Sequence, residues 1–387
     1  MSTTAAERRA GSGLGTAVAG MALVAATYGM ARFGIGLFAP RLGAQRPGLA
    51  PVLGWAAAAQ FTSYALAAAV AARLADRRPR AGVVLAGVTA TAGCLGVAVA
   101  SDPAAFVVAV FLGGMGGGFA SPALVRVVDA VVPGRAAATA QSLVNSGTAV
   151  GVIGAGALAP LVPPVGRAWV LMALVCAVTA AATWWSVRTR ADLAARRPVT
   201  GTPPAPRPWR LLVVPGAAAV VAGAGSALIW TFGPLMVTGS AAVGVDRVGG
   251  LWIALGLGGV LGTFTGVVVE RWGRRAGWCL CSCALALAGA GPVVAAGAGA
   301  AWAYAGMAVF GAAYMGLSGV LVLWGRQVWP DAAGAATSVL FIALAVGQAA
   351  GSAGFGLLRG AWGPGALALS AAALLVLGGL TALVRSR

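Results

Sequence analysis

The groups able to do chemistry in this sequence are few, and most are badly placed for it. Eight acidic residues occur (Glu7, Asp76, Asp102, Asp129, Asp192, Asp246, Glu270 and Asp331), and there is no histidine. Every acid falls at the edge of an apolar run. Intramembrane hydrolysis, metal-assisted cleavage and proton relays all draw on carboxylates or imidazoles inside such runs. The sequence is therefore not that of an enzyme, and it calls for no cofactor. Cys279, Cys281 and Cys283 alternate within one run. At helical spacing the first and third share a face that the second leaves, which is poor geometry for one metal. Glycines crowd positions 113–118, yet no Lys-Ser/Thr pair follows as a phosphate loop needs. Close helix packing is the better use for them.

One charge does lie inside an apolar run. Arg32 shares a helical face with Tyr28 and Gly36, at i−4 and i+4. An unpaired guanidinium in lipid costs about 2.5–3.5 kcal/mol even on permissive scales. Its partners are then carbonyls, the Tyr28 hydroxyl, water or an anionic substrate. Snorkelling competes, because Arg32 lies eight residues before Pro40, roughly 12 Å along a helix. Tyr28, Gln60, Tyr64, Gln141, Asn145, Trp230, Tyr314 and Gln348 also fall inside apolar runs. Amides are costly in lipid and turn toward a protein interior. With Arg32 these residues are expected to line a substrate cavity, against the plainer role of helix-to-helix hydrogen bonding.

The elements that must hold these side chains are transmembrane helices. Hydrophobic residues make up 60% of the 387 and charged residues 9%, against about 25% charged in soluble domains. The apolar runs are continuous, which excludes a β-barrel. The class expected is all-α and polytopic, with twelve spans at 14–39, 51–74, 83–100, a fourth from after Pro103 to 128, 138–161, a sixth ending near 187, 211–237, 249–269, 276–296, 301–325, 336–357 and 364–384. Pro40 is expected to end the first, and Pro234 lies near the end of the seventh. Residues 188–210, rich in arginine and proline, read as a linker between halves 1–187 and 211–387. All 26 basic residues are arginine. With the amino terminus inside, twenty fall on inner segments and five on outer ones, namely Arg41, Arg46, Arg167, Arg247 and Arg359. The net charge of +18 is therefore a topology signal with an attraction to the lipid bilayer, and not a nucleic-acid surface. The run after Arg9 is too long for a cleavable signal peptide.

The polar turn between the eighth and ninth spans reads Gly266-Val267-Val268-Val269-Glu270-Arg271-Trp272-Gly273-Arg274-Arg275. It resembles the Gly-x-x-x-Asp-Arg-x-Gly-Arg-Arg signature of the major facilitator superfamily, with Glu270 for the Asp. A weaker copy lies half a chain earlier, where residues 72–80 keep Asp76 and Arg77 and end on Arg80, with Ala72 and Pro79 where the superfamily has glycines. Asp76 and Glu270 are 194 apart, as are Pro40 and Pro234, while Pro133 and Pro330 are 197 apart. One order at nearly one offset indicates two related halves.

The resemblance implies two six-helix bundles, a central cavity lined by the first, fourth, seventh and tenth helices, and alternating access. It also implies cytoplasmic latches holding the outward-facing state, with Asp76, Arg77, Arg80, Asp129, Gly266, Glu270, Arg271, Gly273, Arg274, Arg275 and Asp331 as gating residues. The superfamily's antiporter signature is incomplete, because Gly147 and Gly151 give its spacing but Val152 replaces its proline. The Tyr-Gly then Arg-Phe order in the first span is similar to a bacterial branch near the cyanate and nitroimidazole transporters. The expectation is a monomeric secondary transporter in the bacterial cytoplasmic membrane, both termini inside, moving a small organic solute that is anionic if Arg32 meets it. Efflux of hydrophobic drug-like compounds is the alternative. A shape-changing receptor would favour a long cytoplasmic domain, and a channel would favour repeated pore charges; neither feature is present.

Overall fold

In a computed structural model the chain is described over residues 3–74, 78–132, 136–188, 208–262 and 265–383. Among the described residues every regular element is helical, as backbone in lipid must be when no sheet closes on itself. The first passage is composite. α1 (Thr3–Val24) runs through a π-helical stretch, Ala25–Arg32, into α2 (Gly34–Gln45). The first half continues with α3 (Leu53–Leu74), α4 (Pro79–Val99), α5 (Pro103–Val131), α6 (Ala136–Leu161) and α7 (Val165–Val187). The second comprises α8 (Val213–Gly239), α9 (Val248–Leu261), α10 (Thr265–Ala288), α11 (Gly291–Ala298), α12 (Ala300–Val328), α13 (Ala333–Leu358) and α14 (Pro364–Thr381). Most of the expected linker, residues 189–207, lies outside the described residues.

Eleven helical stretches among the described residues are long and apolar enough to cross a membrane. The remaining passage, the eighth, comprises α9 and the start of α10, with residues 263–264 between them outside the described residues. Within α10 the backbone leaves helical geometry at Gly273, at φ 82° and ψ 162°, a region that favours glycine. A Cβ on Gly277 would lie 2.7 Å from the Val269 side chain. In an unbroken helix these residues would be about 12 Å apart along the axis, so the chain doubles back at Gly273. This is the reversal the turn predicts.

One helix end differs from expectation: Pro40 lies inside α2, which runs on to Gln45. Pro234 likewise lies inside a helix, α8, whose end at Gly239 is close to the expected 237. A proline frees the carbonyl four residues before it, and packed neighbours in a membrane bundle can accommodate that group. For Pro234 the freed carbonyl is that of Trp230, which rests directly on Gly36 of the other half. A weak Cα–H···O contact of this kind fits only where no side chain intervenes.

The halves meet most closely at the end away from the linker. Residues 29–40 of the first passage and 225–234 of α8 are buried without interruption, whereas Leu14, Val18 and Val213, nearer the arginine-rich end, reach the surface. Two glycine pairs close this end, away from the linker. Gly54 of α3 backs onto Gly356 of α13, and Gly156 of α6 backs onto Gly249 of α9. Arg359 ties α13 to the first half through a 2.6 Å bond to the Ala50 carbonyl.

Candidate functional site

Arg32 ends the π-helical stretch at the middle of the first passage. Extra backbone per turn makes such a stretch a common local distortion at functional sites. The side chain is 1% exposed and does not snorkel. Its guanidinium sits within an aromatic box, 3.9 Å from the Tyr64 ring centroid, 4.5 Å from Tyr28, and 5.1 Å from both Phe33 and Phe61. Ring faces attract a desolvated cation by up to about 2 kcal/mol each, not additively. Nη2 donates to Gln348 Oε1 at 3.2 Å, and Gln348 Nε2 donates to the Tyr314 hydroxyl at 3.0 Å. Arg32 Nε and Nη1 are buried with no acceptor.

The second half supplies the opposite wall. Trp230 stacks on Phe33 at 3.8 Å and meets Tyr314 edge-on at 5.2 Å. Its indole N–H is also buried without an acceptor. Glycines on α5 bring these parts together: Gly117 lies against the Tyr28 ring, Gly114 against Gln60 and Gly118 against the Tyr64 carbonyl. Gly29 and Gly151 let α6 reach the π-helical stretch. The glycine run thus serves packing, as its sequence context predicts.

Seven of the nine expected cavity residues converge here: Tyr28, Arg32, Gln60, Tyr64, Trp230, Tyr314 and Gln348. Gln60 is buried and donates to the Ala31 carbonyl at 3.3 Å, so its amide holds helices together within the box. Gln141 and Asn145 stand apart from the cluster. Gln141 Nε2 donates to Asn145 Oδ1 at 3.2 Å, with Asn145 exposed, toward the arginine-rich end of α6. Phe33, Phe61 and Phe310 belong to the wall and were not singled out by the sequence. An aromatic residue in an apolar span looks like any core residue, and the only pointer was adjacency to Arg32 and Gln60. The space beside Phe33, Thr148, Trp230, Tyr314 and Met315 is about 10 Å³, room for about one water, and Arg32 itself is sealed at 1% exposure. The centre is closed.

The sequence matches the family described as Major Facilitator Superfamily over residues 21–352. The chain belongs to that superfamily. Its fold is similar to that of the nucleoside transporter NupG, with a TM-score of 0.74 at 13% identity over 96% of this chain and 98% of that one. A POT family transporter in complex with 5-aminolevulinic acid aligns with a TM-score of 0.76 at 12% identity, covering 96% and 95%. The xylose transporter XylE from E. coli, partially occluded and inward open, aligns at 0.72 and 15% identity, covering 94% and 95%. Identities this low establish shared fold alone. Among curated proteins the sequence has no match.

The superfamily signature turn contacts its own half. Arg274 Nη1 donates to Gln327 Oε1 at 2.6 Å and the guanidinium lies 4.6 Å over the Trp324 ring. Glu270, Arg271 and Arg275 are exposed, as are Asp129 and Asp331, and Gly266 lies in the helical backbone before the turn. Arg80 donates from Nε to the Val187 carbonyl at 3.2 Å, at the end of α7, where helices present unpaired carbonyls. Asp76 and Arg77 lie outside the described residues. The bonds of Arg274 to Gln327 and of Arg80 to Val187 each stay within one half.

Proposed function

We propose that this superfamily member is a secondary transporter that moves a small organic anion across the bacterial cytoplasmic membrane by alternating access, as a monomer with both termini and the linker inside. Residues 1–187 and 211–387 are the two moving units, and the order Tyr28-Gly29 then Arg32-Phe33 fits the branch near the cyanate and nitroimidazole transporters. The observation that carries the substrate reading is the imbalance at the centre. Arg32 Nε, Arg32 Nη1 and Trp230 Nε1 are donors buried without acceptors, and no acid lies within a span to answer them. A ligand that satisfies this set brings acceptors and negative charge, as a carboxylate does. With the linker inside, the end closed by the Gly54–Gly356 and Gly156–Gly249 contacts is the outer one, and the turns around Asp76 and Glu270 latch the opposite end when it opens.

Uptake into proteoliposomes, screened against pyruvate, acetate, benzoate, and neutral and cationic compounds of similar size, tests the reading. Anions should enter and the others should not. Arg32→Lys keeps charge but loses the planar fork and should cut uptake at least tenfold, while Arg32→Ala should abolish it at normal expression. Unchanged transport in the alanine variant would sink the anion reading and favour hydrophobic efflux.

A further inference from the structure

We infer that the carrier is an anion exchanger: it changes conformation readily with an anion on Arg32 and slowly without one, so that one anion leaves for each that enters. This rests on the anion reading above and adds a second anion as the counter-substrate. The closed centre shows what the empty carrier must pass through. Arg32 is there 1% exposed, held by a single bond to the neutral Gln348 amide, with Nε and Nη1 unanswered. The nearby space between Phe33, Trp230 and Tyr314, about 10 Å³, is too small for an organic anion. The titratable side chains packed around the guanidinium are Tyr28, Tyr64 and Tyr314, and none brings a carboxylate.

In an open state water solvates the guanidinium whether or not an anion is present. In the closed state the ring faces and the Gln348 amide replace that water only in part, and an anion supplies the acceptors and charge that they lack. A bound anion therefore lowers the closed state far more than the open ones, and closure lies between them. The empty carrier meets the higher barrier and the loaded carrier the lower. Proton-driven transport would relieve the same problem differently, by titrating an intramembrane carboxylate or imidazole, and the chain has neither within a span. The counter-ion has to arrive with the cargo.

The test uses radiolabelled pyruvate, an anion made of acceptors that stays ionised at neutral pH. Wild-type proteoliposomes are filled with buffer or with unlabelled pyruvate, and passive entry into protein-free liposomes is subtracted. Internal pyruvate should raise the initial rate at least tenfold, equivalent to about 1.4 kcal/mol between the two barriers. An inward proton gradient on buffer-filled vesicles should change the rate less than twofold. Gln348→Glu places a carboxylate within bonding distance of Nη2, so the empty centre becomes neutral. In that variant the ratio of exchange to net entry should fall to within about twofold of unity. Equal rates from empty and loaded wild-type vesicles, or net accumulation that a protonophore abolishes, overturn exchange and leave anion transport standing. An unchanged ratio in a folded Gln348→Glu protein overturns the charge argument. No pyruvate entry under any condition overturns exchange together with the anion reading beneath it.

Discussion

Arg32 is costly to keep, and that cost separates a functional role from a structural one. A buried ion pair broken on one side is strongly destabilising, whereas an unpaired buried charge exchanged for an apolar side chain of similar size relieves desolvation. Arg32→Met should therefore hold or raise the melting temperature in detergent by a few degrees while removing anion uptake, a split expected where stability is given up for function. Melting monitored by tryptophan fluorescence checks it. A fall of more than a few degrees would make Arg32 a structural brace between the π-helical stretch and α13. At this scale the sequence was informative about polar residues and nearly silent about apolar ones. Arg32 and Gln348 stood out because lipid makes them expensive. Phe33 and Phe61 carry no such mark. Gln141 and Asn145 stood out for the same reason as Gln348, yet they bond each other away from the centre.

Between elements, small residues set which contacts can close. Gly156 meets Gly249 backbone to backbone, and Gly54 meets Gly356 in the same way, at the end of the molecule away from the linker. Branched side chains at these positions would hold α6 away from α9, or α3 from α13. Gly156→Val should therefore shift the protein toward an open outer end. Leu53, 1% exposed here, reports that state: as Leu53→Cys in a cysteine-free background it should react with a water-soluble maleimide at least tenfold faster when Gly156→Val is added. Equal labelling would show that the glycine contact does not control closure. The helix end expected at Pro40 differs at this scale too. In water the carbonyl freed four residues before a mid-helix proline favours a break, but in a packed bundle a neighbour can take it up, and the partner helix that allows this is not visible in the local sequence.

Across the whole molecule, the twelve passages and the reversal at Gly273 were legible because lipid imposes length and the repeat gives register. The π-helical stretch and the closed outer end were not, since both depend on how the halves sit together. The latch belongs to this scale. If Glu270 helps hold the arginine-rich end shut, Glu270→Gln should favour the outer-closed state, lowering Leu53→Cys labelling severalfold and slowing transport about tenfold at normal expression. Wild-type labelling and rates would reduce the turn to a topology signal.

The contact between Gly36 and the Trp230 carbonyl carries a further consequence. Each residue lies four before its proline, Pro40 or Pro234, and the two are 194 apart, so they are the same position in the two halves. They face each other across the pseudo-twofold axis, one with no side chain and the other with the largest. Two copies of 1–187 would bring glycine to glycine and leave a hole where the indole belongs. Two copies of 211–387 would drive tryptophan into tryptophan. Neither half can stand in for the other, so the duplication has become a matched left and right hand.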